Sequence, residues 1–121
     1  MAYRVEWDEG AHADLDEILG YLCNVLFSNQ AAETLLGRLE AIDAVQRTLP
    51  KSYPHAADPY LRRRGYRSAR AGGYLVLYRI AEYWASIEND EVVEGAGIGG
   101  CEGIVRVAQL RHVSEDWEET L

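Results

Sequence analysis

The sequence lacks the features that mark several large classes of protein. Its 121 residues include only two cysteines and three prolines. Its apolar residues come in short runs, well below the roughly 18 consecutive residues of a membrane-spanning helix. No basic segment followed by an apolar run opens the chain, as it would in a secretory signal. We therefore expect one cytoplasmic domain over residues 1–121, with one core and no membrane segment.

The sequence also has little that could hold a metal or a nucleotide. His12, His55 and His112 include no pair at ligand spacing on one helix, and neither Cys23 nor Cys101 belongs to a C-x-x-C motif. The cysteines lie far apart, one on a predicted helix and one in a glycine-rich loop, so a disulfide is not indicated. The glycine-rich segments do not join a strand to a helix, as a phosphate loop requires. We expect no metal site and no cofactor.

Positive charge is scarce but concentrated. The chain has 12 basic and 20 acidic residues, for a net charge of −8. Residues 62–80, RRRGYRSARAGGYLVLYRI, hold six arginines and no acid, whereas residues 82–103 hold six acids and no base. So acidic a protein is poorly suited to generic nucleic-acid binding, which depends on neutralising phosphates. We call residues 62–80 the arginine segment and expect it to meet a specific acidic partner.

The first half of the chain predicts a strand and two helices. Apolar and charged residues alternate over residues 3–7, as in a half-buried strand. Apolar residues recur at helical spacing over residues 11–26 and again over 32–45, and Ser28 can end the first helix and cap the second. So short a link makes the helices an antiparallel hairpin whose apolar face a sheet must cover. Acidic residues on the first helix are expected to form a solvated face: Asp14, Asp16 and Glu17.

The second half predicts an irregular loop and three strands. Residues 51–61 contain two prolines, which makes regular structure unfavourable. Strands at 66–70 and 74–81 flank a glycine turn, and the second strand is apolar on both faces, as central strands are. A last strand covers residues 104–110, and Ser114 caps a short terminal helix.

Together these elements predict an α+β protein. An antiparallel sheet packs against the N-terminal helical hairpin in the order β-α-α-β-β-β, with a short C-terminal helix. Between the last two strands, residues 82–103 form an acidic, glycine-rich insertion. We expect its first half to extend the hairpin and its second half to protrude as a mobile loop.

Basic residues near the ends of the predicted strands form the candidate site. If these strands are neighbours, then Arg67, Arg70, Arg111 and His112 converge on one surface, where they could hold phosphates or carboxylates. The alternative is a solvated face paired with the acids of the chain itself. The residues considered for target or phosphate binding are Arg62, Arg63, Arg64, Arg67, Arg70 and Arg111.

Three blocks of the sequence resemble the RelE/ParE superfamily of toxins from type II toxin–antitoxin systems. They are YRVEWDEGAHADLDEIL, AGGYLVLYRI and IVRVAQLRHVSEDWEETL. The resemblance implies a RelE/ParE-like fold and a toxin neutralised by a cognate antitoxin. It also implies one of two activities. RelE-like members cut ribosome-bound mRNA without a metal, using basic residues on the sheet, whereas ParE-like members act on DNA gyrase and are not nucleases.

The sequence departs from the mRNA-cutting members at several positions. Leu75 stands where those members often carry arginine, and Ser114 and Glu115 stand where a basic pair is common. The proton-transfer position near the C-terminus falls to Trp117, whose indole cannot transfer a proton at neutral pH. A general acid or base contributes about 10²–10⁴-fold, so we favour the ParE-like branch and expect no enzymatic activity.

Two alternatives stay open. One is an mRNA interferase, a metal-independent endoribonuclease, that uses Arg67, Arg70, Arg111 and His112, with His112 as acid–base group because it titrates near neutrality. The other is a non-toxic binding module on the same scaffold. For the antitoxin, we expect a segment that wraps the helical hairpin and the sheet, with an acidic tail on the arginine segment. The sequence leaves the oligomeric state open.

Overall fold

The fold is a four-stranded sheet with helices packed on one face. The structure, a computed structural model, describes residues 2–82 and 101–113. Their elements are β1 (Ala2–Trp7), α1 (Glu9–Gly20), α2 (Asn29–Thr48), α3 (Pro59–Arg63), β2 (Arg67–Ala71), β3 (Tyr74–Glu82) and β4 (Cys101–His112). The predicted α+β class is confirmed. Most of the 82–103 insertion and the predicted helix after Ser114 lie outside the described residues.

The helical hairpin forms where the apolar spacing predicts it, but its first helix changes geometry. The α-helical part ends at Gly20, and a π-helical turn, Tyr21–Val25, completes the predicted 11–26 segment. Ser28 then caps α2 as expected, because its hydroxyl accepts a hydrogen bond of 3.1 Å from the backbone N–H of Ala31. The helices stop and restart at the predicted position.

The strand order is β1-β4-β3-β2. As its two apolar faces predict, β3 lies between two strands, and both pairings are antiparallel. Tyr74, Val76 and Tyr78 on one face of β3 pack into the core beneath the helices, and we call the opposite side of the sheet its outer face. The predicted strand boundaries hold to within one or two residues, except that β4 extends over Cys101–His112 and so includes Cys101.

The predicted antiparallel sheet is wrong for one pairing, because β1 runs parallel to β4. The cause is that α1 continues in the direction of β1. The backbone N–H of Asp8 bonds the carbonyl of Val107 at 2.8 Å, and further along both elements the N–H of Leu110 bonds the Asp14 carboxylate at 3.1 Å. The chain therefore reverses between α1 and α2 and not between β1 and α1, which leaves β4 parallel to β1.

Asp14 was expected on a solvated face, and the structure corrects this. β1 pairs with β4 only as far as Trp7 and Val107. One residue later, the register with β3 shifts at Ala108, so that Val107 and Leu110 both face the core. The Asp14 carboxylate bonds the N–H of Leu110 beyond this bulge, where β1 no longer reaches. The side chain thus substitutes for a neighbouring strand.

The proline-rich segment is more regular than predicted. It contains a 3₁₀ turn, Pro50–Ser52, and the short helix α3, which begins with proline at its first position. The segment is fastened to the sheet by the Tyr78 hydroxyl, which donates a buried hydrogen bond of 2.6 Å to the carbonyl of Pro50. The N–H of Ser68 also bonds the carbonyl of Pro54 at 3.0 Å. Its prolines therefore start helical turns as well as break them.

Replacing Tyr78 with phenylalanine should destabilise the fold. The change leaves the buried carbonyl of Pro50 without its donor, which costs about 1–3 kcal/mol of unfolding free energy. Urea denaturation measures this loss, and Tyr60→Phe is the control because Tyr60 is 46% exposed. Equal stability of the two variants would contradict a structural role for the Tyr78–Pro50 bond.

Candidate functional site

Two of the predicted cations lie in one row across the outer face. Arg70 on β2 pairs with Leu75 on β3, and Leu75 pairs with Arg111 on β4. Arg70 donates from Nε to the carbonyl of Gly72 at 2.9 Å, and Arg111 donates from Nε to the Gln109 side chain at 2.8 Å. With adjacent strands about 4.8 Å apart, the two arginines are two strand spacings apart, with an aliphatic side chain between them.

Arg67 lies on the opposite face of the sheet from Arg70. It shares its face with the buried Ala69 and Ala71, since side chains alternate along a strand. Its guanidinium donates to the carbonyls of Tyr53 at 2.7 Å and Lys51 at 3.2 Å. The expected convergence of Arg67 with Arg70 and Arg111 is therefore wrong, and Arg67 instead ties the proline-rich segment to β2.

His112 is also on the helix side of the sheet. It pairs with Tyr74, and the two rings meet edge to face with centroids 5.2 Å apart. Its neighbour Arg111 points to the other face because consecutive strand residues alternate. His112 and Arg111 both line a depression of about 630 Å³, which the carboxylates of Asp14 and Glu17 also border. The four proposed nuclease residues thus divide into two on each face.

Of the three arginines that precede the hairpin, Arg62 and Arg63 belong to α3 and Arg64 follows as its C-cap. Arg62 donates to the carbonyls of Ala56 and Ala57 at 3.1 and 3.2 Å, which fixes the chain before α3. The Arg64 guanidinium lies 3.9 Å from the centre of the Tyr60 ring, a cation–π contact. Arg63 is exposed on the same helix. Much of the arginine segment therefore has a partner within the chain.

The candidate list omits two outer-face arginines, Arg79 and Arg106, which lie directly opposite each other. Arg106 forms ion pairs with Glu6 at 3.3 Å and Asp8 at 3.6 Å. Arg79 stacks 4.8 Å from the Tyr66 ring centre. Like charges in opposing positions destabilise a sheet, and these contacts offset that repulsion. The sequence does contain a signal for both positions. Each arginine lies between two apolar residues, the alternation that puts it on the opposite face of a strand from the core.

A groove with a largely apolar lining lies between α2 and the β2–β3 turn. Its volume is about 460 Å³, and its apolar lining comprises Leu22, Ala31, Leu35, Ala71 and Tyr74. Arg38 of α2 stands at its edge, packed against Gly72, whose φ of 62° allows the tight turn. Burial raises the pKa of the Tyr74 hydroxyl above its ordinary value, so it stays neutral. The sequence reasoning missed this groove, including Arg38.

Neither a metal site nor a membrane helix is found in the described residues. Within 2–82 and 101–113, no group of three or more histidine, cysteine or acidic side chains could hold a metal ion. No helix in those ranges is long and apolar enough to cross a membrane.

Comparisons with known proteins give one family match and a structural match. Residues 5–117 match the family model described as ParE toxin of type II toxin-antitoxin system, parDE. A solved structure titled "Chromosomal ParDE TA system from P. aeruginosa" matches with a TM-score of 0.59 and 15% identity, covering 93% of this chain and 97% of that one. A search of curated protein sequences gives no match.

The chain shares its α+β fold with that solved structure. The family model is more specific, since it spans nearly the whole sequence. The chain belongs to the ParE toxin family of type II toxin–antitoxin systems.

The two hairpin arginines of β2 should differ in their effect on stability. Arg67→Gln removes a charged donor to two carbonyls and should lower the unfolding free energy by about 1–3 kcal/mol. Arg70→Gln alters an exposed side chain and should change it by less than about 0.5 kcal/mol. Urea denaturation of both variants provides the test, and a reversed order would contradict the assignment of Arg67 to the sheet fastening.

Proposed function

We propose that this ParE-family toxin acts by binding a protein target such as DNA gyrase, without cutting RNA. One observation carries the proposal: the outer-face row reads Arg70, Leu75, Arg111, with an aliphatic residue at its centre. The row can attract an anion, but it contains no group that transfers a proton near neutral pH. His112, the acid–base candidate, lies on the other face of the sheet.

The outer-face row lacks a group that contributes strongly to the rate of RNA cleavage, and this supports a binding role. Cleavage of RNA requires activation of a 2′-hydroxyl and stabilisation of the developing phosphorane charge. Two arginines could contribute to charge stabilisation, which is worth about 10²–10³-fold for a single donor. Proton transfer adds about 10²–10⁴-fold, and the row has no side chain for it. The net charge of −8 further disfavours approach to a polyanion such as the ribosome.

We also propose that the groove beside α2 receives a segment of a cognate antitoxin. Its apolar lining suits the aliphatic or aromatic side chains of an amphipathic segment. At its edge, Arg38 forms no ion pair with another described residue and could bind a carboxylate of the partner. This places the acidic contact of the antitoxin at Arg38, in addition to the arginine segment expected from the sequence.

The proposed target can be tested with purified protein. We expect inhibition of gyrase-catalysed DNA supercoiling, and no cleavage products in primer-extension mapping of mRNA after induced expression. The double variant Arg70→Gln/Arg111→Gln serves as the control for RNA cleavage. Specific cleavage that this variant loses would instead support the mRNA interferase. Harmless expression without antitoxin, together with unchanged supercoiling, would support the non-toxic binding module.

Antitoxin binding should depend on Arg38. Arg38→Gln is expected to weaken the complex by at least about tenfold, because an ion pair at a partly desolvated groove loses one member. Arg47→Gln is the matched control on the same helix, since Arg47 pairs with Asp43 at 2.8 Å on the exposed side. Calorimetric titration at two salt concentrations measures both. Equal affinities for the two variants would exclude Arg38 as a contact.

A further inference from the structure

The turn between α1 and α2 exposes large apolar side chains. Tyr21, Val25, Leu26 and Phe27 are 50%, 58%, 51% and 85% exposed, respectively. We call these four residues the hairpin tip. All four lie within residues 21–27, so the exposed apolar side chains are concentrated in one short segment of the chain. Concentrated apolar exposure marks interaction sites, whereas singly scattered exposed residues do not.

The backbone holds the tip in a defined conformation. Phe27 has a φ of 53°, in the left-handed region, which a non-glycine residue adopts only at an energetic cost. Hydrogen bonds flank it: the N–H of Leu26 bonds the carbonyl of Tyr21 at 3.1 Å, and the N–H of Ser28 bonds that of Leu22 at 2.8 Å. The π-helical turn directly before it is a second irregularity, of a type that occurs often at functional sites. The Phe27 ring is thus displayed on an ordered turn.

The tip lies in an uncharged part of an acidic protein. Residues 18–32 contain no acidic or basic side chain, although the whole chain carries a net charge of −8. Such a surface gives no attraction for phosphates, so nucleic acid and anionic lipid headgroups are unsuitable partners. An exposed aromatic ring in an uncharged segment fits an apolar pocket with an uncharged rim on another protein.

We propose that the hairpin tip inserts into an apolar pocket of the toxin's protein target, with Phe27 as the anchor. The inference rests on the proposed function in that it assumes a protein target. Buried aromatic side chains at the centre of a contact dominate binding energy. A standard interface buries about 800 Å² on each partner, more than four side chains supply, so the tip is the centre of a larger contact.

The position of the tip also accounts for neutralisation. Leu22 and Ser28, within and directly after the tip segment, line one end of the groove that we assign to the antitoxin. An antitoxin segment in the groove would therefore obstruct the approach of a target to the tip.

Two variants of Phe27 test the proposal. Phe27→Ala removes the ring. Phe27→Asn also removes the ring, and asparagine tolerates the left-handed backbone conformation at this position. The asparagine variant should therefore be at least as stable as the wild type. Leu49→Ala is the control, because Leu49 is 67% exposed at the other end of α2. Toxicity is measured as growth inhibition on induction, with the variants compared at equal levels of soluble protein, and as the concentration that half-inhibits gyrase supercoiling. Antitoxin affinity and, by sedimentation, the oligomeric state are measured on the same variants.

Both Phe27 variants are expected to lose growth inhibition and to require at least about tenfold more protein for half-inhibition of gyrase. Their antitoxin affinity should stay within about threefold of the wild type, and Leu49→Ala should behave as the wild type. Growth inhibition that depends on Phe27, without any effect on gyrase, would preserve the tip and reject gyrase as the target. Undiminished toxicity of both variants would overturn the tip, whatever the gyrase result.

Three other results would also overturn the inference. Loss of antitoxin binding together with retained toxicity would assign the tip to the antitoxin. A dimer of the wild type that Phe27→Asn dissociates would assign it to a second copy of this chain. A wild type that inhibits neither growth nor gyrase would reject the proposed function, and with it the target on which the tip was to act.

Discussion

The insertion of β4 between β1 and β3 is the constraint on which the rest of the structure depends. The last described strand must pair with the first strand on one side and with the hairpin on the other. The pairing of β1 with β4 joins residues about a hundred positions apart, so it forms late and slowly compared with local contacts. Beyond Trp7, the Asp14 carboxylate takes over as a partner of β4. The alignment of α1, and hence of the helical hairpin, follows from this last strand.

Both long helices pack on one side of the sheet, and the outer face carries arginines beside the apolar Leu75 and the buried Leu77. Arg70, Arg79, Arg106 and Arg111 all occur there, but much of their charge is offset by contacts within the chain. Glu6 and Asp8 pair with Arg106, and the Tyr66 ring covers Arg79. Arg62 and Arg67 likewise bond backbone carbonyls. The arginine segment therefore stabilises the fold as much as it offers a docking surface.

Local sequence patterns predicted the elements well, because apolar spacing and capping act over a few residues. Ser28 correctly marked the start of α2, and the glycine turn correctly marked the β2–β3 hairpin. The two apolar faces of β3 correctly indicated a strand with a neighbour on each side. The direction of β1 was not predictable in this way, since it depends on whether the chain reverses after Asp8. The error in the candidate site, by contrast, was local and avoidable. Strand alternation alone separates Arg67 from Arg70 and Arg111 from His112, which the convergence prediction overlooked.

The groove and the hairpin tip escaped the sequence reasoning for a different reason. Leu22, Leu26 and Leu35 all fit an amphipathic stripe, and such a stripe does not reveal which of its residues the sheet covers. The π-helical turn rotates the end of the first helix away from ideal α-helical spacing, and this leaves Val25 and Leu26 exposed while Leu22 stays buried. Exposed apolar side chains beside a phenylalanine with a left-handed backbone do not stabilise the folded chain. Their presence is consistent with a binding surface, on a scaffold whose outer-face row lacks a group for proton transfer.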